Sequence, residues 1–195
     1  MSALTSELGP VATTGDTREL VPFVLRHCKG KTDGEIRAAL VEALRRFLRE
    51  SKAWRTPLFP QPEIEGDPAY RFYASSTGLI HTVCEVRSRG GTRPPPAYAC
   101  TDGRTVLFDV AIPVDEYPYA AMVPERGDDH IPGELLSKYG EAIGCLALHE
   151  LAASGALGAA TSWKARYDNA VAEALLDAQP TINGTIRADF GMEVI

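Results

Sequence analysis

The string HELAA at 149–153 opens like a zinc-protease helix, whose chemistry needs two histidines one turn apart on the same face. Ala153 stands where the second would be, so the two-ligand face for zinc is missing. GDDH at 127–130 puts two carboxylates and an imidazole in a row. Adjacent loop residues rarely converge on one ion, and Asp128 and Asp129 suit the positive end of the helix that follows. Cysteine nucleophiles need a base at hydrogen-bonding distance, and sequence alone cannot put His27, His81, His130 or His149 beside any of the thiols of Cys28, Cys84, Cys100 and Cys145. There is no P-loop, no GxSxG and no dinucleotide glycine fingerprint after a strand. No catalytic residue, cofactor or metal is expected.

What remains is charge. RSRGGTRPPP (87–96) carries Arg87, Arg89 and Arg93 on a loop, where guanidinium groups suit a partner or an anion. The plain alternative is a solvated link between strands. Arg37 and Glu150 each fall inside an apolar helical stripe. Either each meets an opposite charge in the core or at a subunit boundary, the other of the two being one choice, or both snorkel to water near helix ends.

The elements around these residues read as follows. Residues 1–16 form a polar N-terminal tail, and TRELVPFVLRHC (17–28) a short helix before Gly30. Thr32 and Glu35 have capping-box spacing at the head of a long helix. Ile36, Leu40, Ala43, Leu44, Phe47 and Leu48 share one face of it; Glu42, Arg45, Arg46, Arg49 and Lys52 share the other. Glu42 and Glu50 lie at pairing distance from Arg46, so this helix reads as a packing strut with an outer face open to another subunit. Trp54 and Pro57 mark its end.

Most of the chain's 14 prolines lie in residues 58–130, which rules against a long helix there. LIHTVCEVRS (79–88) alternates, with Ile80, Thr82, Cys84 and Val86 on one side. AYACTDGRTVLFDV (97–110) carries Asp102-Gly103 between β-favouring runs, a hairpin signal, and PYAAMVP (118–124) adds a strand. Helical spacing returns at 131–154, with Leu135, Leu136, Tyr139, Ile143, Leu146 and Ala147 as the stripe and Leu148 outside it. SGALGAATS (154–162) reads as a flexible connector. Ser162 then caps a last helix with Trp163, Tyr167, Ala170, Val171, Ala174 and Leu175 on its apolar face.

The expected fold class is α+β: a helical bundle of two N-terminal and two C-terminal helices, a small antiparallel β-sheet insertion and an extended C-terminal arm. One domain, 17–178, divides into helices 17–56, the insertion 58–130 and helices 131–178, with the arm at 179–195. Trp54, Phe47, Tyr139, Trp163 and Tyr167 are the expected core anchors. The net charge of −6 argues against a phosphate-gripping regulator. Four scattered cysteines, no secretory leader and no apolar run near about 18 residues suggest a soluble, reduced, cytoplasmic protein without a membrane partner.

Two segments resemble a known family. LVPFVLRHCKGKTDGEIRAALVEALRRFLRESKAWR, and IPGELLSKYGEAIGCLALHEL followed by WKARYDNAVAEA, are similar to the opening and closing helix pairs of tailed-bacteriophage head-to-tail adaptor (connector) proteins. The likeness covers about 20–56 and 131–178, with the β middle agreeing in order rather than in letters. Leu146 stands where that family often has glycine, and SGALGAATS where a PGKPW-like turn is common.

The resemblance implies a non-enzymatic structural virion protein at the phage neck, assembled in the host cytoplasm. It would form a ring, usually twelve-fold, beneath the portal protein, with the tail or next neck protein on the far side. DNA would pass through the lumen without sequence-specific binding, and acidic chains would let it slide. The arm would reach the portal through Pro180, Thr181, Ile182, Ile186, Arg187, Phe190, Met192, Val194 and Ile195. Two other classes stay open: a different neck or tail-completion (stopper) protein, and a small α+β enzyme using Cys or His.

Overall fold

The computed structural model describes residues 14–61, 69–74, 77–126, 130–152 and 157–177. Its first element is a strand, β1 (Thr14–Asp16), paired antiparallel with β9 (His130–Pro132). The last three residues of the segment read as a tail therefore join the fold. Asp16 then caps a 3-10 turn, Thr17–Leu20: its carboxylate accepts from Arg18 N at 2.7 Å, and Glu19 accepts from Asp16 N. Helix α1 (Val21–His27) follows, with Pro22 in its first turn, where the missing N–H costs nothing.

Helix α2 (Asp33–Ser51) opens as its sequence dictates. Thr32 Oγ1 accepts from Glu35 N at 3.3 Å, and the Glu35 carboxylate accepts from Thr32 N at 2.8 Å. Those bonds hold the Glu35 carboxyl below its ordinary value. All six residues of the apolar stripe are buried, and Lys52, in the left-handed region at φ 53°, ends the helix. The chain is extended again by Arg55, inside the span assigned to helix.

The middle of the chain is larger than an insertion. Strands β2 (Arg55–Pro60), β3 (Ala69–Ala74), β4 (Leu79–Ser88), β5 (Gly91–Arg93), β6 (Tyr98–Cys100), β7 (Thr105–Ile112) and β8 (Tyr117–Val123) form one antiparallel sheet, ordered β5-β4-β8-β2-β3-β7-β6. The protein is sheet-dominated, with a curled seven-stranded sheet, a second two-stranded sheet and four helices among the described residues. This overturns the expected helical bundle with a small sheet.

The reason lies in β2. Its first half, Arg55–Pro57, pairs with β8, and its second half, Leu58–Pro60, pairs with β3. A strand that changes partners turns a corner and lets a sheet wrap its own core. Each half is a short ladder with one partner, which accommodates Pro57 and Pro60 where a fully paired strand would not. Leu58, Phe72, Val106, Phe108 and Ile112 fill the inside of the curl.

Strand β4 departs from simple alternation as well. Its register against β8 shifts between Ile80 and Thr82 and again between Val83 and Glu85. The buried residues are consequently Ile80, Val83, Glu85 and Val86, drawn from both sides of the alternation that groups Ile80, Thr82, Cys84 and Val86. Each bulge adds an unpaired residue and turns the following side chains to the other face. The Asp102-Gly103 turn does join β6 to β7, with Gly103 at φ +75° and the Asp102 carboxylate accepting from Arg104 N and Thr105 N.

Helix α3 (Gly133–Ala152) is buried on most sides, Leu148 included, because α1, α2 and α4 all pack on it. Helix α4 (Leu157–Asp177) begins inside the expected connector, so Ser162 lies within the helix instead of capping it. Tyr167 and Ala174 are buried on its inner face, whereas Leu175 is 39% exposed. No helix among the described residues is long and apolar enough to cross a membrane.

Candidate functional site

Three charged features stand out, and the first lies where α2, α3 and α4 meet. Arg46 reaches Glu50 on its own helix at 2.8 Å and Glu150 on α3 at 3.6 Å. The Tyr167 hydroxyl donates to Glu50 at 2.6 Å. Burial works against ionised Glu50, but the bonds from Tyr167 and Arg46 outweigh it, and its carboxyl sits below the ordinary value. Burial raises Glu150, with Arg46 opposing and Glu42 reinforcing the shift.

Glu150 thus meets an opposite charge across a helix boundary, but that charge is Arg46. Arg37 is half exposed and pairs with Asp33 at 2.8 Å, a surface contact one helical turn away. The pairing of Arg37 with Glu150, one of the options the sequence left open, does not form. Around this cluster the core anchors gather: Phe47 lies 5.0 Å from Tyr139 and 6.2 Å from Tyr167, and Trp163 lies 5.0 Å from His27. Trp54 is buried at the far end of α2, its carbonyl accepting from Met122 N.

The second feature is Glu85, buried by the β4 bulges. Arg87 Nε donates to it at 2.6 Å, and Arg55 Nη1 lies 3.3 Å away without hydrogen-bond geometry. The Arg87 guanidinium also covers the Tyr119 ring at 4.1 Å. Arg93 donates to Glu116, and that bond raises the arginine above its ordinary value. Of the three loop arginines, Arg87 and Arg93 are thus engaged within the fold, and Arg89 sits exposed in the β4–β5 turn.

The third feature is an open groove of about 720 Å³ on the outer face of α2. Ala38 and Val41 line it together with Arg37, Glu42, Arg45, Arg49 and Arg126. Arg45 is anchored by the Pro124 carbonyl at 3.0 Å. Among the described residues, Glu42 and the Asp33 bonded to Arg37 stand against four guanidiniums, a positive excess in an acidic chain. Its field reaches His81, which burial first, then Arg49 and Lys52, hold below its ordinary value. The sequence showed the arginine face, but not that the β8 end brings Arg126 to it.

The nucleophile candidates are scattered. Burial raises the Cys84 and Cys145 thiols, which leaves less thiolate for attack. His149 Nδ1 lies 2.9 Å from the Ala160 carbonyl, and His27 is edge-on to Phe23. Among the described residues, no three His, Cys, Asp or Glu side chains gather as a metal site. His130 is in β9, while residues 127–129 and all nine arm residues from Pro180 to Ile195 lie outside the described residues. Neither a protein-family model nor a curated protein matches the chain.

Proposed function

We propose that this chain is a structural protein of a phage neck, a ring-forming adaptor that joins the portal to the tail and surrounds the DNA channel. The observation that carries the reading is the union of the two segments behind the resemblance. The opening helix α2 and the closing pair α3–α4 pack as one unit, tied by Tyr167–Glu50 across 117 positions of sequence, with the sheet set between them in the chain. That order, helix pair, sheet, helix pair, is the order of the short-tailed phage adaptors. Glu150 and Arg46 add a charged seam at the same junction.

The charge balance supports the reading too. A net −6 per chain, repeated around a ring, supplies a field that keeps DNA phosphates from sticking. Contact with the portal is assigned to the segment after Gln179. The test is co-purification of tagged chain with portal protein from infected cells, full-length beside a truncation after Gln179, with the eluates imaged. Portal-sized rings in the full-length eluate support the adaptor role, and their loss on truncation assigns the anchor. Absence of portal from both eluates, with a tail component present instead, would move the chain to the tail side of the neck.

A further inference from the structure

The connection between β7 and β8 is built for contact. Val114 is 93% exposed, with Val110 and Tyr117 about half exposed on either side. Large apolar surface held out this far on a tight turn, with Glu116 N donating to the Pro113 carbonyl at 3.0 Å, has no partner among the described residues of its own chain. Asp109 and Asp115 flank it, exposed, and no described residue pairs with either side chain. Arg93 fixes the turn from the side through Glu116. The tip is therefore apolar, acidic and rigidly held.

The α2 groove offers the complement: small and apolar Ala38 and Val41 share its lining with Arg45 and Arg49. Strand β8 joins the two surfaces. The tip lies before its first residue, Tyr117, and the groove begins where Pro124 and Arg126 follow its last, Val123. Seven extended residues separate the ends by roughly 20 Å. A copy cannot place its own tip in its own groove.

We infer that the Pro113–Glu116 tip of one copy docks in the α2 groove of the next, Val114 on Ala38 and Val41, and Asp115 between Arg45 and Arg49. Two different patches meeting this way make a heterologous contact, which generates a ring if the rotation closes and a filament if it does not. The inference rests on the ring reading above and names the surfaces that would build the ring.

The test uses full-length purified chain under reducing conditions and reads subunit mass against concentration by sedimentation velocity and mass photometry. The wild type should assemble, less readily as salt screens the contact. Asp115→Arg and the double variant Arg45→Glu/Arg49→Glu should each shift the association midpoint upward by at least about 100-fold, with unchanged circular dichroism. Mixed one to one, the two variants should assemble again. The charge-reversed tip of the first then meets the charge-reversed groove of the second, and the native tip of the second meets the native groove of the first, in alternation. Singles that assemble like the wild type, or a mixture that stays dissociated, overturn the inference. So does a wild type that remains monomeric at millimolar concentration. Portal capture is read separately, so failure here leaves the adaptor role to its own experiment.

Discussion

Tyr167 stands 117 positions after Glu50, yet its hydroxyl donates to the Glu50 carboxylate at 2.6 Å from a ring that is fully buried. Burial, then the bond to Glu50, push the phenol well above its ordinary range, so it stays a donor at any working pH. Tyr167→Phe keeps the ring that packs on Phe47 and removes only this bond. Bonds to charged groups contribute about 1.5–3 kcal/mol, and the variant should lose that much in urea denaturation. A loss below about 0.5 kcal/mol would mean that water replaces the hydroxyl, and that Tyr167 serves the helix junction through its packed ring rather than through this bond.

The two glutamates beside Arg46 titrate in opposite senses. Glu150 is raised above the ordinary carboxyl value of 4.5 by burial, so once ionised in both states it subtracts stability; that penalty fades as pH falls toward 4.5. Glu50 is lowered, so its contribution is present above 4.5 and disappears only as pH falls through its lowered value. Glu150→Gln should then be neutral to slightly stabilising at pH 7.5, by less than about 1 kcal/mol, because the group is partly solvated. The gap from wild type should shrink at about pH 5. Urea midpoints at both pH values decide it, and a loss of several kcal/mol at the higher pH would restore a tightly buried pair.

How much of this was legible from the letters differs by element. The α2 cap needs only Thr32 and Glu35 three positions apart, and the stripe from Ile36 to Leu48 needs only the helical period; both are local, and both are present. The sheet was undersized because its defining strand, β2, is six residues containing Pro57 and Pro60, a composition that reads as loop until its two partners are known. Buried Glu85 was hidden by two bulges that no periodicity announces. Arg46 rather than Arg37 meets Glu150 because the two arginines lie about two and a half turns apart on α2, and only the packing of α3 on α2 sets which of them Glu150 reaches. The groove was half visible: its helix face could be read, whereas Arg126 arrives from 77 positions beyond Arg49.

Gly78 precedes β4 with the Trp54 ring pressed on it. A Cβ there would lie 2.8 Å from Trp54 Cη2 and 2.9 Å from the Val123 carbonyl oxygen, and the second neighbour is backbone of a paired strand that cannot swing away. Gly78→Ala should cost about 1–3 kcal/mol as overpacking. Because the indole must shift, Trp54 emission should move in the native state before any denaturant is added. An unchanged spectrum with unchanged stability would mean that the β8 end yields to the methyl group.

Glu85 is the group on which the sheet's ionic interior depends. Its side chain is 7% exposed and faces Arg55, 18% exposed, whose Nη1 is buried with no hydrogen-bond partner, and Arg87, which also covers Tyr119. Glu85→Ala therefore strands the Arg55 charge beside the β2 corner, and losing one partner of a buried pair costs about 3–5 kcal/mol. Arg87 can turn to water, since it is 42% exposed, so Arg55 carries the penalty. Adding Arg55→Met to Glu85→Ala removes the stranded charge and fills much of its volume, and the double variant should recover at least about 2 kcal/mol of the loss. Additive losses in that cycle would instead show that Glu85 acts through Arg87 and the Tyr119 ring, leaving the Arg55 contact without energetic weight.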